Sequence, residues 1–258
     1  MKKDMLHRKI PAIIALAFCV LNTAEAVTVS IPGDATYIRS NTGQTTHNFG
    51  GDAGMILGPT QGSSIYRVLV SFNLGTIPVD ATISSVTLSL TGTGTDATST
   101  NTPYNLNLHQ MTSGISEGSG FRDGAGAGPV NGSASWEYRG PSSTPWTSAG
   151  GDFNSVVLTS VVKNPTTALP AWNFASTSAF VNATTGSAGG NLSLLLKLED
   201  SAENLSQRRV YFLESDDSPT SANRPSLTVT YTTVPEPSVA AIGLLSVAVL
   251  SFRRRPVA

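Results

Sequence analysis

The chain has 258 residues and a formal net charge of −1, and only 13% of it is Asp, Glu, Lys or Arg. Between residues 27 and 234 nine Lys+Arg face 14 Asp+Glu, a net charge of −5, and only Lys163 and Lys197 are lysines. A surface of this kind has no basic stripe for phosphate, which argues against nucleic acid as a partner. Direct binding of anionic polymers would need a local arginine cluster or a bridging cation.

Residues 1–26 read as a secretory signal peptide. Lys2, Lys3, Arg8 and Lys9 form a basic head, an apolar run extends from Ile10 to Leu21, and Ala24-Glu25-Ala26 supplies an A-x-A site with the cut expected after Ala26. About 12 apolar residues are too few for a membrane anchor. Cys19 is the one cysteine. Phe18 stands where a lipoprotein site needs a small residue, so Cys19 is expected to leave with the peptide. The mature chain then has neither disulfides nor thiolate chemistry.

From residue 27 onward apolar and polar residues alternate, and no stretch keeps helical spacing for more than about a turn. Strands are expected at 27–31 (VTVSI), 36–40 (TYIRS), 54–58 (GMILG), 64–74 (SIYRVLVSFNL), 84–91 (SSVTLSLT) and 104–110 (YNLNLHQ). Four more follow at 155–162 (SVVLTSVV), 191–198 (NLSLLLKL), 208–214 (RRVYFLE) and 226–232 (SLTVTYT). The alternation turns Tyr66, Val68, Val70, Phe72 and Leu74 to one side, as it does Val86, Leu88 and Leu90. It places Tyr104, Leu106 and Leu108 inward, with Asn105, Asn107 and His109 outward, and it buries Leu192, Leu194, Leu196 and Leu198. Two long loops are expected, 91–103 and 112–135; the second is too long for a plain connection. The pattern predicts an all-β chain: a single jelly-roll or β-sandwich domain over 27–233, with a core large enough to need no staple.

Residues 234–258 carry Pro235-Glu236-Pro237, then 14 mostly apolar residues from Val239 to Phe252, then Arg253-Arg254-Arg255. A helix of that length covers about 21 Å, short of a ~30 Å hydrocarbon core, and the arginines would hold its end on the cytoplasmic side. An ordinary C-terminal anchor is the alternative, disfavoured by the length. The three parts, in this order, resemble the PEP-CTERM sorting signal. That resemblance implies a short apolar sorting helix, transient membrane insertion through it, and recognition by an exosortase alongside the secretion machinery. It also implies a Gram-negative bacterium that makes exopolysaccharide. The chain is then exported to the cell envelope, the outer surface or the extracellular matrix, with the tag removed.

The segment between the tags resembles a DNRLRE-type module, related to the family 96 carbohydrate-binding modules. The residues that carry this are ATYIRSNTGQTTHNFGG (35–51), YRVLVSFNLGTIPVDATISSVTLSL (66–90), the Trp-rich SWEYRG with TPWTSAGGDF (135–153), and RRVYFLESDDSPTSANRPSLTVTY (208–231). Where the family's name motif would stand, the chain reads Glu214-Ser215-Asp216-Asp217. The resemblance implies a β-sandwich linked to uronic-acid polysaccharides, often attached to larger enzymes.

Trp136, Trp146 and Trp172 are candidates for stacking on a pyranose face, Trp146 above all because it sits among turn residues, with Tyr138 beside Trp136. The plainer alternative is that these rings plug the ends of the sandwich. Asp34, Asp52, Asp152, Asp216 and Asp217 could supply carboxylates to calcium, a hard cation that takes loop oxygens; solvated turn ends are the alternative, since no EF-hand or nonapeptide spacing supports a metal. Catalytic signatures are missing: there is no G-x-S-x-G, no H-E-x-x-H and no P-loop. Three readings stay open. The first is a non-catalytic exported protein that binds extracellular polysaccharide. The second is a structural surface protein without a sugar site, and the third a polysaccharide-degrading enzyme.

Overall fold

Alternating sequences form strands because a pleated chain turns successive side chains to opposite faces, one toward apolar neighbours. The computed structural model describes residues 24–97, 103–122, 133–140, 144–163, 172–203 and 209–233. Within them the chain is mostly β-sheet with two helices. In chain order the elements are β1 (Ala26–Arg39), β2 (Gly54–Pro59), β3 (Ile65–Asn73), β4 (Thr82–Leu90), β5 (Gly92–Ala97), β6 (Tyr104–Met111), β7 (Tyr138–Gly140) and β8 (Thr144–Pro145). They continue with β9 (Phe153–Lys163), β10 (Trp172–Phe174), α1 (Ser178–Gly186), β11 (Asn191–Leu198), α2 (Asp200–Glu203), β12 (Arg209–Glu214) and β13 (Ser226–Thr232).

One face runs β10–β4–β13–β1 and the other β1–β3–β11–β6–β9, with every pairing antiparallel. β1 belongs to both. Ala26–Pro32 pairs with β13, and Gly33–Arg39 pairs with β3. The change falls at Pro32-Gly33 for a physical reason: proline has no N–H to give a ladder, and a Cβ on Gly33 would lie 2.5 Å from the Phe72 ring. β2 behaves alike, pairing with β12 through Gly54–Leu57 and with β3 through Gly58–Pro59; β5 completes this group by pairing with β12. Between the two faces lies the main core, where Val86, Leu88, Leu227 and Val229 meet Val68, Val70, Leu106, Leu108, Leu194 and Leu196, all fully buried.

Several expectations need correction. The segments 27–31 and 36–40 are one continuous strand. The expected loop 91–103 contains β5, while 98–102 lies outside the described residues. α1 is a helix that alternation did not announce: Thr177 caps it by accepting from the Phe180 N–H (3.1 Å), and Phe180, Ala183 and Thr184 are its only buried residues. His109 is buried rather than outward. Register shifts on both sides of it break the alternation, its Nδ1 donates to the Asn154 carbonyl (2.9 Å), and its ring lies 4.9 Å from Phe153.

That correction has a wider cause. The outer face of the β3–β11 sheet is covered by the segment that follows β6. Ile38, Leu69 and Leu195 point into it and form a second core with Met111, Ala134 and Trp146. Leu195, Ser193 and Lys197 are therefore buried along with the expected Leu192, Leu194, Leu196 and Leu198. Beneath this cover Arg67 and Lys197 are paired with carboxylates. Arg67 makes a two-pronged contact with Glu203 (Nε and Nη2, both 2.8 Å), donates Nη1 to the Gly150 carbonyl (2.8 Å) and lies 5.0 Å from the Trp136 ring. Lys197 adds a second cation 3.2 Å from Glu203 and also pairs with Asp200. Breaking such a pair leaves a charge unbalanced in a dry setting. Arg67→Met is expected to lower unfolding free energy by about 3 kcal/mol in urea titrations. Glu203→Gln in the Arg67→Met background should cost less than Glu203→Gln alone.

Candidate functional site

The crossing of β1 places Asp34 one residue past Gly33. Opposite it, the turn between β12 and β13 is fastened on both sides: Gly33 N–H donates to Pro225 O and Ser215 N–H to Ala53 O (3.1 Å each), and Ser215 Oγ donates to Asp52 O (2.6 Å). Asp216 rides on that turn and accepts from the Ala35 N–H (3.0 Å). Glu117 comes from the covering segment, which Asn48 holds in place: its Nδ2 donates to the Glu117 and Ala134 carbonyls, and its Oδ1 accepts from Gly50 and Gly120. The next residue, Gly118, has φ +84 and no room for a side chain, since a Cβ would meet Ser133 Oγ at 2.1 Å. The result is a group of three carboxylates, from Asp34, Glu117 and Asp216, whose oxygens lie within 4.8 Å of one another.

Burial pushes the Glu117 carboxyl up to about 9, helped by the charge of Asp216, a hydrogen bond with it, and the charges of Asp34 and Asp217. Burial also raises Asp216, against the hydrogen bonds that Ala35 and its own amide give to the ionised form. At neutral pH Glu117 therefore keeps its proton and donates it to Asp216. Next to this cluster Asp52 accepts from the Tyr37 hydroxyl (2.8 Å) and twice from the Arg122 N–H (3.1 and 3.2 Å). Tyr37 is held protonated by burial and by the charge of Asp52, and it stacks on Phe49 at 4.6 Å. Three carboxyls with one retained proton form an oxygen donor set suited to a hard divalent cation, which would supply the missing positive charge.

Two of the expected metal ligands, Asp34 and Asp216, are thus brought together from opposite ends of the sequence. Asp217 is exposed beside Asp216 and adds to its field. Asp152 is elsewhere: its carboxylate accepts from the Thr147 and Ser148 amides (2.8 and 3.0 Å). Burial opposes its ionisation, but those amides hold its carboxyl below the ordinary range. Glu117 escaped the sequence reading. Its one signal was a lone Glu amid Gly and Ser in a loop too long to be a plain connection.

The aromatic candidates do not make a common surface. Trp146 is 5% exposed, lies in the second core and donates Nε1 to the Ser135 carbonyl (2.8 Å), so its faces meet protein. Trp172 is fully buried, edge-on to Tyr211. Trp136 is half-buried under Arg67, and Tyr138 is half-buried in β7.

Ala24 precedes β1, and Ala26 is its first residue, paired with Thr232. Residues 1–23, Pro235, Glu236, Pro237 and Arg253–Arg255 lie outside the described residues, as does the expected sorting helix. Among the described residues no helix is long and apolar enough to cross a membrane. A scan against protein-family models finds no match, and a search of the curated proteins finds none either.

A carboxyl whose pKa is raised on folding binds more protons folded than unfolded between the two values, so stability falls as pH rises through that window. For Glu117 the window runs from its ordinary 4.5 to about 9. Thermal melts in chelator are expected to show the melting temperature dropping from pH 5 to pH 9. Glu117→Gln should flatten that slope and melt higher than the parent at pH 8. Parallel slopes in the two proteins would remove Glu117 from the titration.

Proposed function

We propose that this chain is an exported surface or extracellular-matrix protein whose sandwich binds exopolysaccharide without catalysis. In this reading residues 1–26 are a signal peptide and 27–233 a single DNRLRE-like jelly-roll domain resembling the family 96 carbohydrate-binding modules. Residues 234–258 are a PEP-CTERM segment, inserted transiently and cut by an exosortase. The observation that carries the binding half is the convergence of Asp34, Glu117 and Asp216 beside an acidic turn. A net-acidic surface repels a uronate polymer, whereas a cation held by those three side chains reverses the local sign and accepts sugar carboxylates and hydroxyls. Glu117 and Asp216 are hydrogen-bonded to each other, closer than the ~5 Å separation of a glycosidase pair, so the proposal gives them to a cation. The burial of Trp146 and Trp172 favours a second reading, a structural surface protein without a sugar site.

A glycan array followed by titration calorimetry tests the binding half. Binding of an acidic polysaccharide should weaken about tenfold or more in excess chelator, and Asp34→Asn with Asp216→Asn should abolish the calcium dependence. Full binding in chelator retires the cation, and no binding to any glycan favours the structural reading. Mass spectrometry of secreted protein tests the sorting half: the segment Phe252–Ala258 should be missing, and an intact tail rules the tag out.

A further inference from the structure

The outer face of the β2–β12–β5 group carries a pocket of about 340 Å³ that shares Asp52 with the surroundings of the carboxylate cluster. Among the described residues Phe212 is the one aromatic residue that lines it. Along β12 the neighbours Tyr211 and Leu213 are buried in the main core, while Phe212 alternates with them, packs against the edge of that core and is only half-buried. In the ladder Phe212 stands between Ile56 and Gly94. A Cβ at Gly94 would lie 3.9 Å from the ring, so glycine leaves that part of it bare. The β12–β5 register slips between Phe212 and Leu213, and the slip brings the exposed Thr93 to the rim.

Polar groups converge on the same rim. The Asp52 carboxylate is fixed by Tyr37 and the Arg122 amide. Arg122 lines the pocket, is exposed, and its side chain makes no ion pair among the described residues. An aromatic ring with a few fixed polar groups at the edge suits a small ligand that has one apolar face and a hydroxylated perimeter. A volume near the low end of ligand pockets suits one ring.

We infer that this pocket holds one pyranose ring of a polysaccharide, stacked on Phe212, with hydroxyls at Asp52 and Thr93 and with Arg122 placed to take a carboxylate when the sugar carries one. This rests on the polysaccharide reading above, but it assigns the ring contact to a site that none of the tryptophans forms. Neutral and uronic sugars share the ring chemistry, and the Arg122 contact separates them.

The test is titration calorimetry of the purified full chain with two probes of equal length, a neutral glucose hexasaccharide and a galacturonate hexasaccharide. The wild type is expected to bind. Phe212→Ala, which removes the ring, and Thr93→Trp, which fills the pocket from an exposed position, should each weaken both probes by about tenfold or more. Arg122→Ala should weaken the uronate probe and spare the neutral one. Thr93→Trp and Arg122→Ala keep the test decisive if Phe212→Ala melts early. Wild-type binding by both of those variants overturns this site and leaves the polysaccharide reading standing; a wild-type chain that binds neither probe also overturns this site, and one that in addition binds nothing on the glycan array overturns both.

Discussion

β1 serves two sheets, and it changes from one to the other between Pro32 and Gly33. Much of the rest is built around that change. The proline ends one ladder because it has no donor, and the glycine lets the backbone run against Phe72 where a side chain could not fit. Asp34 then comes immediately after the bend, on a stretch whose Ala35 amide already serves Asp216. The β12–β13 turn is clamped from the same place by Gly33 and from the other flank by Ala53 and Asp52. A chain that crossed one residue earlier or later would point Asp34 to the opposite face and dissolve the carboxylate group.

The second constraint is the cover over the β3–β11 sheet. Over the covered stretch those strands are largely buried on both faces, so the polar groups they carry there must find partners inside the protein. Arg67, Lys197 and Glu203 do this for one another, with the Gly150 carbonyl taking the remaining prong of the guanidinium. Through Trp136 and Gly150 the same arginine holds the covering segment down. Glu117, on an earlier stretch of that segment, owes its position to Asn48 instead. The cover is thus anchored at two points, one ionic and one made of neutral hydrogen bonds, and the candidate site depends directly on the second.

Much of this was legible in the sequence. Period-two alternation found the long strands, because each has a face in the main core. It failed at His109, at Leu195 and over 27–40, for reasons that lie in tertiary structure. A cover on the outer face makes both sides of a strand apolar or paired, and a strand that changes sheets reads as two. β5 was hidden because Thr and Gly are loop-like in composition, while its pairing comes entirely from β12. α1 was hidden because three buried residues in nine leave little periodic signal. The acids show the same division. Asp34 and Asp216 could be suspected as turn carboxylates, but Glu117 is joined to them only by the path of the covering segment. Trp146 drew attention for its turn-rich neighbours, yet its indole fills the second core.

The pairing of Ala26 with Thr232 puts the start of β1 and the end of β13 side by side, on neighbouring antiparallel strands. Mechanically this is a zipper. Tension applied between those two points would act across the ladder and open its hydrogen bonds one after another, at low force. Tension applied at the β13 end alone, with the other end free, has nothing to pull against within that ladder. A domain held by one end would therefore swing as a unit. The same domain held by both ends would begin to peel at this seam.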